Sequence, residues 1–280
     1  MAESPRSKAR RKRRAWLERL GLLLLAALLV FSATPTGQWA WQRLYTLSGF
    51  RGPAEEAPLE LHFIDVGKAD AILLQCQGKT ALLDAGTWAS GSRVVDYLHR
   101  MGVGRLDYII ASHPDSDHIG GLAQVLEEIP AESLVIYPWP EEMRQSEEFR
   151  QLEEAAFSKQ VPVLEVEAGD ELPFGETYLQ ILGPLKVYEE TNDCSLVVRL
   201  EYEAFSALFC GDIENAAELD LVKSGADLNA DLLKVAHHGS RGSTSSIFIR
   251  TVDPEIAVIS VGEGNSYGHP TQKALDALKN

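Results

Sequence analysis

Short apolar runs separated by glycine, proline or acidic turns dominate the chain from residue 59 onward. Twelve of these runs hold five to nine residues rich in Leu, Ile and Val, which is typical of strands. The predicted strands are residues 59–67, 71–76, 80–86, 106–113, 133–138, 161–166, 171–175, 177–183, 195–202, 205–212, 231–238 and 255–262. Between them, apolar residues recur at intervals of three and four, the pattern of amphipathic helices. The predicted helices are residues 92–102, 119–129, 141–160, 213–225, 244–252 and a last one from Thr271.

The order of these elements predicts an α+β fold in which two sheets pack face to face and helices flank them. Nearly continuous apolar runs at residues 108–112, 232–236 and 256–260 predict strands that are covered on both faces. In layered sheets, the strand ends and the loops after them commonly form the functional site. The polar residues that follow these three runs are His113, His237, His238 and His269. We therefore expect a single site at one edge of the sheets.

The amino-terminal region, residues 1–45, combines a basic stretch with an apolar run over residues 20–31. That run is shorter than the ~20 residues of a comfortable bilayer span, but it suits the core of a signal peptide. We expect a cleaved signal or a retained membrane anchor, with an amphipathic surface helix as the alternative. Residues 46–58 are predicted to be a linker and 59–280 the folded body, which would then lie outside the cytoplasm.

Charge is distributed unevenly along the chain, whose formal net charge is −15. Residues 1–52 carry ten basic and two acidic side chains, which leaves 16 basic and 39 acidic ones and a charge of −23 on residues 53–280. A body this acidic repels polyanions at long range, which disfavours non-specific nucleic-acid binding through a basic face. An anionic substrate would depend on bound metal cations and a few local bases.

The stretch from His113 to His118 places two imidazoles and two carboxylates within six positions, directly after a predicted strand. Imidazole nitrogen and carboxylate oxygen suit zinc, and a higher share of carboxylate suits manganese. Pro114 before the pair of glycines at 120–121 indicates a turn, which lets the four side chains converge. The alternative is a helix cap at Asp115 or Ser116, which explains one residue of the four.

Four further segments have residues with the chemistry of the same site. Asp212 ends a strand behind a glycine, where a carboxylate can bridge two ions, although it could equally cap a helix. His237 and His238 end another strand, and the alternative for either one is a hydrogen-bonded core histidine. His269 lies in a predicted turn and could be a loop residue only. Asp84 ends the strand at 80–86 and would either orient a ligand or cap a turn.

Seven segments of the chain resemble the metallo-β-lactamase superfamily, in the branch formed by the hydrolase domain of ComEC-type DNA-uptake proteins. In order they are FIDVGKADAILLQ, TALLDAG, SHPDSDHIGGL, TNDCSLVVRL, LFCGDIE, LLKVAHHGSRGSTS and YGHPT. The resemblance extends from Leu59 to the C-terminus. At the metal motifs the chain is also similar to phosphorylcholine esterases of the same superfamily. One departure is Lys68, which stands where the family usually has glutamine.

The resemblance implies an αββα sandwich with a site for two divalent ions, zinc as the first expectation and manganese as the alternative. His113 and Asp115 would hold one ion. Asp117, His118 and His238 would hold the other, with Asp212 bridging the two and His237 facing substrate. Asn192, Asp193 or water would complete the first ion. The residues expected to support the ligands are Asp84, Asn192, Asp193 and Ser195.

The resemblance also implies the chemistry. Two ions that share a water lower its pKa and yield a hydroxide nucleophile. Asp117 would orient this nucleophile, and His237 or His269 would donate a proton or a hydrogen bond to the substrate. The residues expected to bind a phosphate are Lys68, Ser240, Arg241 and Ser243.

The predicted function is therefore metal-dependent hydrolysis of a phosphodiester. A ComEC-like nuclease follows the resemblance, whereas a small phosphoester (a nucleotide, a phosphocholine ester or a wall-polymer ester) suits the acidic body better. Lactam hydrolysis is disfavoured because lactamases of the superfamily generally have histidine where Asp115 lies. A non-catalytic module with a degenerate site is the remaining alternative. The expected partners are the phosphoester and, through residues 1–45, a membrane, and no protein partner is predicted.

Overall fold

A computed structural model describes residues Phe31, Thr34 and 57–279 of the 280-residue chain. The chain divides into two compact units, Met1–Ala54 and Glu55–Asn280, and every element below belongs to the second. The predicted signal or anchor and most of the predicted linker lie outside the described residues. Within the part that is described, no helix has the length and hydropathy that crossing a bilayer requires.

The first six strands form one mixed sheet in the order β1-β2-β3-β4-β5-β6. The pairs β1–β2 and β2–β3 are antiparallel, and the strands from β3 to β6 pair in parallel. The parallel pairs are reached by helical crossovers, as parallel pairing requires. The strands are β1 (Leu59–Phe63), β2 (Ile72–Cys76), β3 (Lys79–Leu83), β4 (Leu106–Ile110), β5 (Ala131–Ile136) and β6 (Val163–Glu165).

The last six strands repeat this arrangement in a second sheet, ordered β12-β11-β10-β9-β8-β7. Its antiparallel part runs from β7 to β10, and β10, β11 and β12 pair in parallel. The strands are β7 (Glu171–Phe174), β8 (Thr177–Gly183), β9 (Val197–Tyr202), β10 (Phe205–Phe209), β11 (Leu232–Lys234) and β12 (Ile256–Val258). The two mixed sheets with their helices agree with the predicted α+β class.

Seven α-helices and four short 3-10 turns connect the strands among the described residues. The helices are α1 (Gly91–Arg100), α2 (Ser116–Ile119), α3 (Leu122–Glu128), α4 (Glu147–Lys159), α5 (Asn215–Ser224), α6 (Ser246–Val252) and α7 (Gln272–Ala277). The 3-10 turns are Trp88–Ser90, Glu141–Arg144, Asn192–Cys194 and Ala236–Gly239.

Two predicted elements differ from the structure, one because of a local helix cap and one because of its place in the sheet. The single helix predicted over 141–160 is a 3-10 turn followed by α4, because the Ser146 hydroxyl accepts the Phe149 N–H and starts a new helix there. The run at 256–260 was expected to be covered on both faces, and this prediction is wrong. β12 pairs only with β11 and lies at the edge of its sheet, where Ile256 is 52% exposed.

One hydrophobic core fills the space between the sheets, with buried side chains from both. Phe63 of β1 and Phe209 of β10 approach across this interface with ring centroids 6.5 Å apart. The core also buries all three cysteines as free thiols. Because β4, β10 and β11 are central strands, the loops that follow them meet at one edge of the sandwich.

Candidate metal centre

The segment from His113 to His118 follows β4 and enters helix α2. Asp115 is the N-cap residue of α2 by backbone geometry, and its carbonyl accepts the N–H of His118 and Ile119. Its side chain makes no capping hydrogen bond, so a cap does not explain the carboxylate. Gly120 then allows close packing, since a Cβ there would lie 2.4 Å from the Ser116 carbonyl oxygen.

Asp212 reaches the same place from the second sheet, just after β10. Gly211 precedes it with φ +51°, and a Cβ on Gly211 would lie 2.7 Å from Cβ of Ser195. The backbone N–H of Asp212 donates to the Ser195 hydroxyl at 3.1 Å. Ser195, predicted as a supporting residue, thus fixes the backbone that presents Asp212.

His237 and His238 lie in the 3-10 turn after β11, and both have left-handed backbone conformations, with φ 49° and 53°. Non-glycine residues seldom adopt positive φ, and such positions concentrate at functional sites. The strained turn directs both imidazoles toward Asp212. From Oδ2 of Asp212, Nε2 of His237 lies at 3.7 Å and Nε2 of His238 at 3.6 Å.

The two oxygens of Asp212 face different histidines. Oδ1 lies 3.2 Å from Nε2 of His118, whereas Oδ2 faces the His237–His238 turn. Nε2 of His238 is also 3.6 Å from Oδ2 of Asp117. A carboxylate placed in this way can contribute one oxygen to each of two neighbouring ions, which is the geometry that the predicted bridging role needs.

Three overlapping groups of side chains in the described part of the chain have ligand atoms within 4.8 Å of one another. Each of the residues His118, Asp212 and His238 belongs to two of these groups, so no group is separate from the others. Asp115 belongs to none of the three groups. Its side chain is 46% exposed, and its Oδ2 lies 3.8 Å from Nε2 of His113. The groups are His113–His118–Asp212, Asp117–His118–His238 and Asp70–Asp212–His238.

Buried polar atoms without hydrogen-bond partners converge at this point. Such atoms carry a large desolvation cost, so native proteins seldom leave them unpaired. Imidazole nitrogens and carboxylate oxygens are the ligands of zinc and related divalent ions, and these residues therefore fit a divalent metal centre. The unpaired atoms are Asp70 Oδ1, His113 Nε2, His118 Nε2, Asp212 Oδ1 and His238 Nε2.

Hydrogen bonds on the far side of two imidazoles fix which nitrogen faces the cluster. Nδ1 of His118 lies 2.8 Å from Oδ2 of Asp84. Nδ1 of His238 lies 3.0 Å from the carbonyl oxygen of Ser260. A donor hydrogen on each Nδ1 leaves the Nε2 lone pair directed into the site, as a metal ligand requires.

Electrostatics keep the carboxylates of the cluster ionised. Burial opposes the charge on Asp212, yet the imidazoles of His118, His238 and His113 hold its pKa well below the ordinary value. Burial likewise opposes the charge on Asp117, whose pKa is held low by His238, His118 and Lys68. Burial, with the nearby His118, lowers the pKa of His113 to about 4, so this imidazole is neutral at pH 7 and able to bind a cation.

A second layer of side chains covers the open face of the cluster. Nζ of Lys68 lies 2.9 Å from Oδ2 of Asp117 and 4.3 Å from the ring centroid of Tyr267. Nδ1 of His237 lies 3.0 Å from Oε1 of Glu214. The ring of His269 meets that of His237 edge-on, with centroids 5.8 Å apart. His237 and His269 are thus adjacent beside the cluster.

The structure does not bring two of the predicted phosphate-binding residues to an open surface. Ser240 and Ser243 are 4% and 0% exposed, and their hydroxyls bond within the loop, to the Gly242 N–H and to the Ala236 carbonyl. Arg241 between them is exposed. We therefore assign the two serines to holding the loop that follows the His237–His238 turn.

Asp193 and Asn192, the two residues predicted to complete the ligands of the first ion, make different contacts. One carboxylate oxygen of Asp193 accepts the N–H groups of Glu214 and Ala217, at 2.7 and 3.3 Å. The Asp193 side chain therefore hydrogen-bonds to the start of α5 and not to the metal cluster. The side-chain nitrogen of Asn192 lies 3.5 Å from Nδ1 of His237 and supports that imidazole instead.

Sequence reasoning missed three buried or half-buried residues at this edge. Asp70 is 2% exposed, and Lys234, at the end of β11, is 1% exposed and donates to it at 2.6 Å. A lysine inside an apolar strand is the signal that could have indicated this pair, because a buried lysine needs a partner. Glu214, which contacts His237, carried no comparable signal.

Comparison with known proteins places the chain in one family. The sequence model described as "Metallo-beta-lactamase superfamily" matches residues 64–263. ComE operon protein 3 of Bacillus subtilis (strain 168) is 31% identical over 239 residues, which cover 79% of this chain and 30% of that protein. Competence protein ComA of Neisseria gonorrhoeae is 32% identical over 267 residues, covering 93% of this chain and 36% of that protein. The chain spans about a third of the length of both relatives.

Among solved structures, a similar one is MEM-A1, a subclass B3 metallo-beta-lactamase isolated from a soil metagenome library. It is 14% identical, with a TM-score of 0.48, over 65% of this chain and 80% of that one.

Proposed function

This chain belongs to the metallo-β-lactamase superfamily, and from that premise we propose that it hydrolyses phosphodiester bonds with two divalent metal ions. Membership of the superfamily supports a metal-dependent hydrolase. The phosphodiester as substrate and the pair of ions are our own extension. Zinc is the first candidate for both ions, and manganese is the alternative because of the carboxylates in the cluster.

The observation that carries the proposal is the placement of Asp212. Its two buried oxygens face His118 on one side and the His237–His238 turn on the other. Unpaired ligand atoms of His113 and His238 lie in the same cluster. A carboxylate in this position would help to hold two ions side by side, and paired ions stabilise both the attacking and the leaving oxygen in the hydrolysis of phosphate esters.

When bound, two divalent ions lower the pKa of a water and offset negative charge that develops on a phosphoryl oxygen. Asp117 is held ionised beside the cluster and can accept a hydrogen bond from the attacking water. Lys68 supplies a cation at the entrance, where it attracts the anionic substrate and orients Asp117. Asp84 and the Ser260 carbonyl hold the ligand imidazoles of His118 and His238 in one tautomer.

In this proposal His237 would donate a hydrogen bond or a proton to the leaving oxygen. Nδ1 of His237 lies 3.0 Å from Oε1 of Glu214, and its Nε2 faces the cluster 3.7 Å from Oδ2 of Asp212. Burial and the neighbouring His237 and Lys68 lower the pKa of His269, so it is neutral at pH 7 and suited to hydrogen bonding.

Charge favours a second candidate substrate. Residues 53–280 carry a net charge of −23, so a long polyanion would be held weakly away from the cluster. A small phosphodiester, such as a nucleotide, a phosphocholine ester or a wall-polymer ester, suits this surface. A ComEC-like nuclease is the candidate that the competence relatives support. We also propose that residues 1–45 export the body or anchor it to a membrane.

A panel of substrates tests the proposal. The purified chain, loaded with Zn²⁺ or Mn²⁺, is assayed on bis-p-nitrophenyl phosphate, on single- and double-stranded DNA, on a phosphocholine ester and on a lactam. The same panel is run on Asp212→Ala. The proposal is supported if the wild type hydrolyses phosphodiesters and Asp212→Ala does not. The relative rates of hydrolysis of DNA and of the small esters then distinguish the two candidate substrates. Equal behaviour of the two proteins on every substrate would refute it.

A further inference from the structure

Asp70 and Lys234 form a buried ion pair that joins the two sheets beside the metal cluster. Asp70 lies in the loop between β1 and β2, and Lys234 is the last residue of β11. Nζ of Lys234 donates to Oδ2 of Asp70 at 2.6 Å and to the Val235 carbonyl at 3.0 Å. The two side chains are 2% and 1% exposed. Ionised groups are rarely buried to this degree without a specific use.

The backbone of Asp70 is tied to elements that carry ligands. Its N–H donates to the Asp117 carbonyl at 3.2 Å, and its carbonyl accepts the Gly86 N–H at 2.7 Å. Lys234 ends β11 four residues before His238, and the turn that presents His238 begins at Ala236. The pair therefore connects the Asp117 loop of the first sheet to the His238 turn of the second.

The free oxygen of Asp70 points toward the cluster. Oδ1 is buried without a hydrogen-bond partner and lies 3.7 Å from Nδ1 of His238. It falls in one of the three possible ligand groups, with Asp212 and His238. A cavity of about 10 Å³ between the sheets is lined by Asp70 and Lys234 together with Asp84, the residue behind His118. The carboxylates behind His118 and His238 thus border one enclosed space.

We propose that Asp70 and Lys234 are positioning residues for the ion held by Asp117 and His238. Lys234 neutralises Asp70 and holds it back from the cluster, so that Asp70 orients the two ligand segments without becoming a ligand itself. The proposal rests on the two-ion site proposed above. A positioning role differs from a merely structural one in its consequence: loss of the pair changes metal affinity and ligand geometry even where the fold is retained.

The test uses the variant with both charges removed, Asp70→Asn/Lys234→Met, because it leaves no unpaired buried ion. Metal affinity is measured by competition with a chelator, and metal content by elemental analysis. Ligand geometry is read from the visible absorption of the Co²⁺-loaded chain. The matched control is Lys79→Met/Asp107→Asn, a pair 2.5 Å apart at the opposite ends of β3 and β4 from the site.

We expect the double variant to keep one ion at wild-type affinity, to hold the other about 10- to 100-fold more weakly and to show an altered Co²⁺ spectrum. The control is expected to match the wild type in all three. Wild-type affinity and spectrum in the double variant would overturn the proposal. A wild type that binds no ions would instead refute the two-ion site itself.

Two single variants keep the test valid if the double variant does not fold. Lys234→Arg retains the cation and is expected to bind both ions. Asp70→Asn loses the carboxylate and is expected to bind one ion weakly. Wild-type binding of both ions by Asp70→Asn would also overturn the proposal.

Discussion

Oδ2 of Asp84 lies 2.8 Å from Nδ1 of His118, in a contact where neither side chain is more than 4% exposed. Asp84 also accepts the backbone N–H of Ser112 at 2.8 Å and its hydroxyl hydrogen at 2.6 Å. The carboxylate thereby joins the end of β3 to the loop after β4 and sets the direction in which His118 presents Nε2.

Replacement of this carboxylate tests its importance for metal binding. In Asp84→Asn, the amide cannot stabilise the Nδ1–H donor as well as an anion does. We expect metal affinity to fall about 10- to 100-fold, the usual loss for a partner of a metal-ligating histidine. Chelator competition measures this, with Asp107→Asn as the control far from the site. Unchanged affinity in Asp84→Asn would contradict the assignment.

Replacement of Asp212, the proposed bridging residue, is expected to cause a larger loss of metal binding. Asp212→Asn keeps the shape of the side chain but removes the charge that two cations would share. Because both ions depend on that carboxylate, metal content should fall from two ions toward none, beyond the roughly 10- to 100-fold loss of affinity at a supporting partner. Elemental analysis after gel filtration gives the count. Retention of two ions would show that Asp212 does not bridge.

Lys68 is expected to act on substrate capture. Lys68→Gln removes the cation beside Asp117, which weakens the attraction of an anionic substrate by about 1 kcal/mol, a roughly fivefold rise in KM. The difference from the wild type should shrink as ionic strength rises. Steady-state kinetics on bis-p-nitrophenyl phosphate at two salt concentrations measure both effects. Lys273→Gln, at an exposed lysine, is the control and should leave KM unchanged.

Stability should depend on pH through Glu218, which is fully buried on α5 and accepts the N–H groups of Thr244 and Ser245. Burial raises its pKa above the ordinary 4.5, although those N–H donors partly offset the effect. Between 4.5 and the folded pKa, the native state binds more protons than the unfolded chain. The contribution of Glu218 is therefore present below pH 4.5 and is lost as pH rises through that window.

Urea denaturation of the wild type and Glu218→Gln from pH 4 to 7 checks this prediction. The free energy of unfolding of the wild type, relative to the variant, should decline as pH rises above 4.5. A constant difference between the two proteins across the range would contradict it.

The local pattern of the sequence was sufficient for most of the secondary structure. All twelve predicted strands are present, because short apolar runs bounded by turn residues form strands under mainly local control. The burial predicted for the run at 256–260 was wrong because burial depends on the neighbouring strands. Ile256 is exposed because β12 has a neighbour on one side only, and no property of the run itself shows its place in the sheet.

The sequence also indicated which residue types would form the site, but not how they share it. His113, Asp117, His118, Asp212 and His238 were recognised from spacing and from the resemblance, and the structure brings them together. Their roles as ligands stay predictions. Ser240 was predicted to bind a phosphate and Asp193 to complete an ion. In the structure, the hydroxyl of Ser240 and the carboxylate of Asp193 accept hydrogen bonds from nearby backbone N–H groups.

What the sequence determined by itself was the set of strands, the two-sheet class and the chemistry available at the strand ends. These follow from hydrophobic periodicity and side-chain type, which are local properties. Only the tertiary structure decided that Asp70 meets Lys234, 164 positions away, and that the two oxygens of Asp212 face different histidines. The reason is that such contacts depend on how the two sheets pack and on the direction of each loop at their shared edge, and both are set by the whole chain at once.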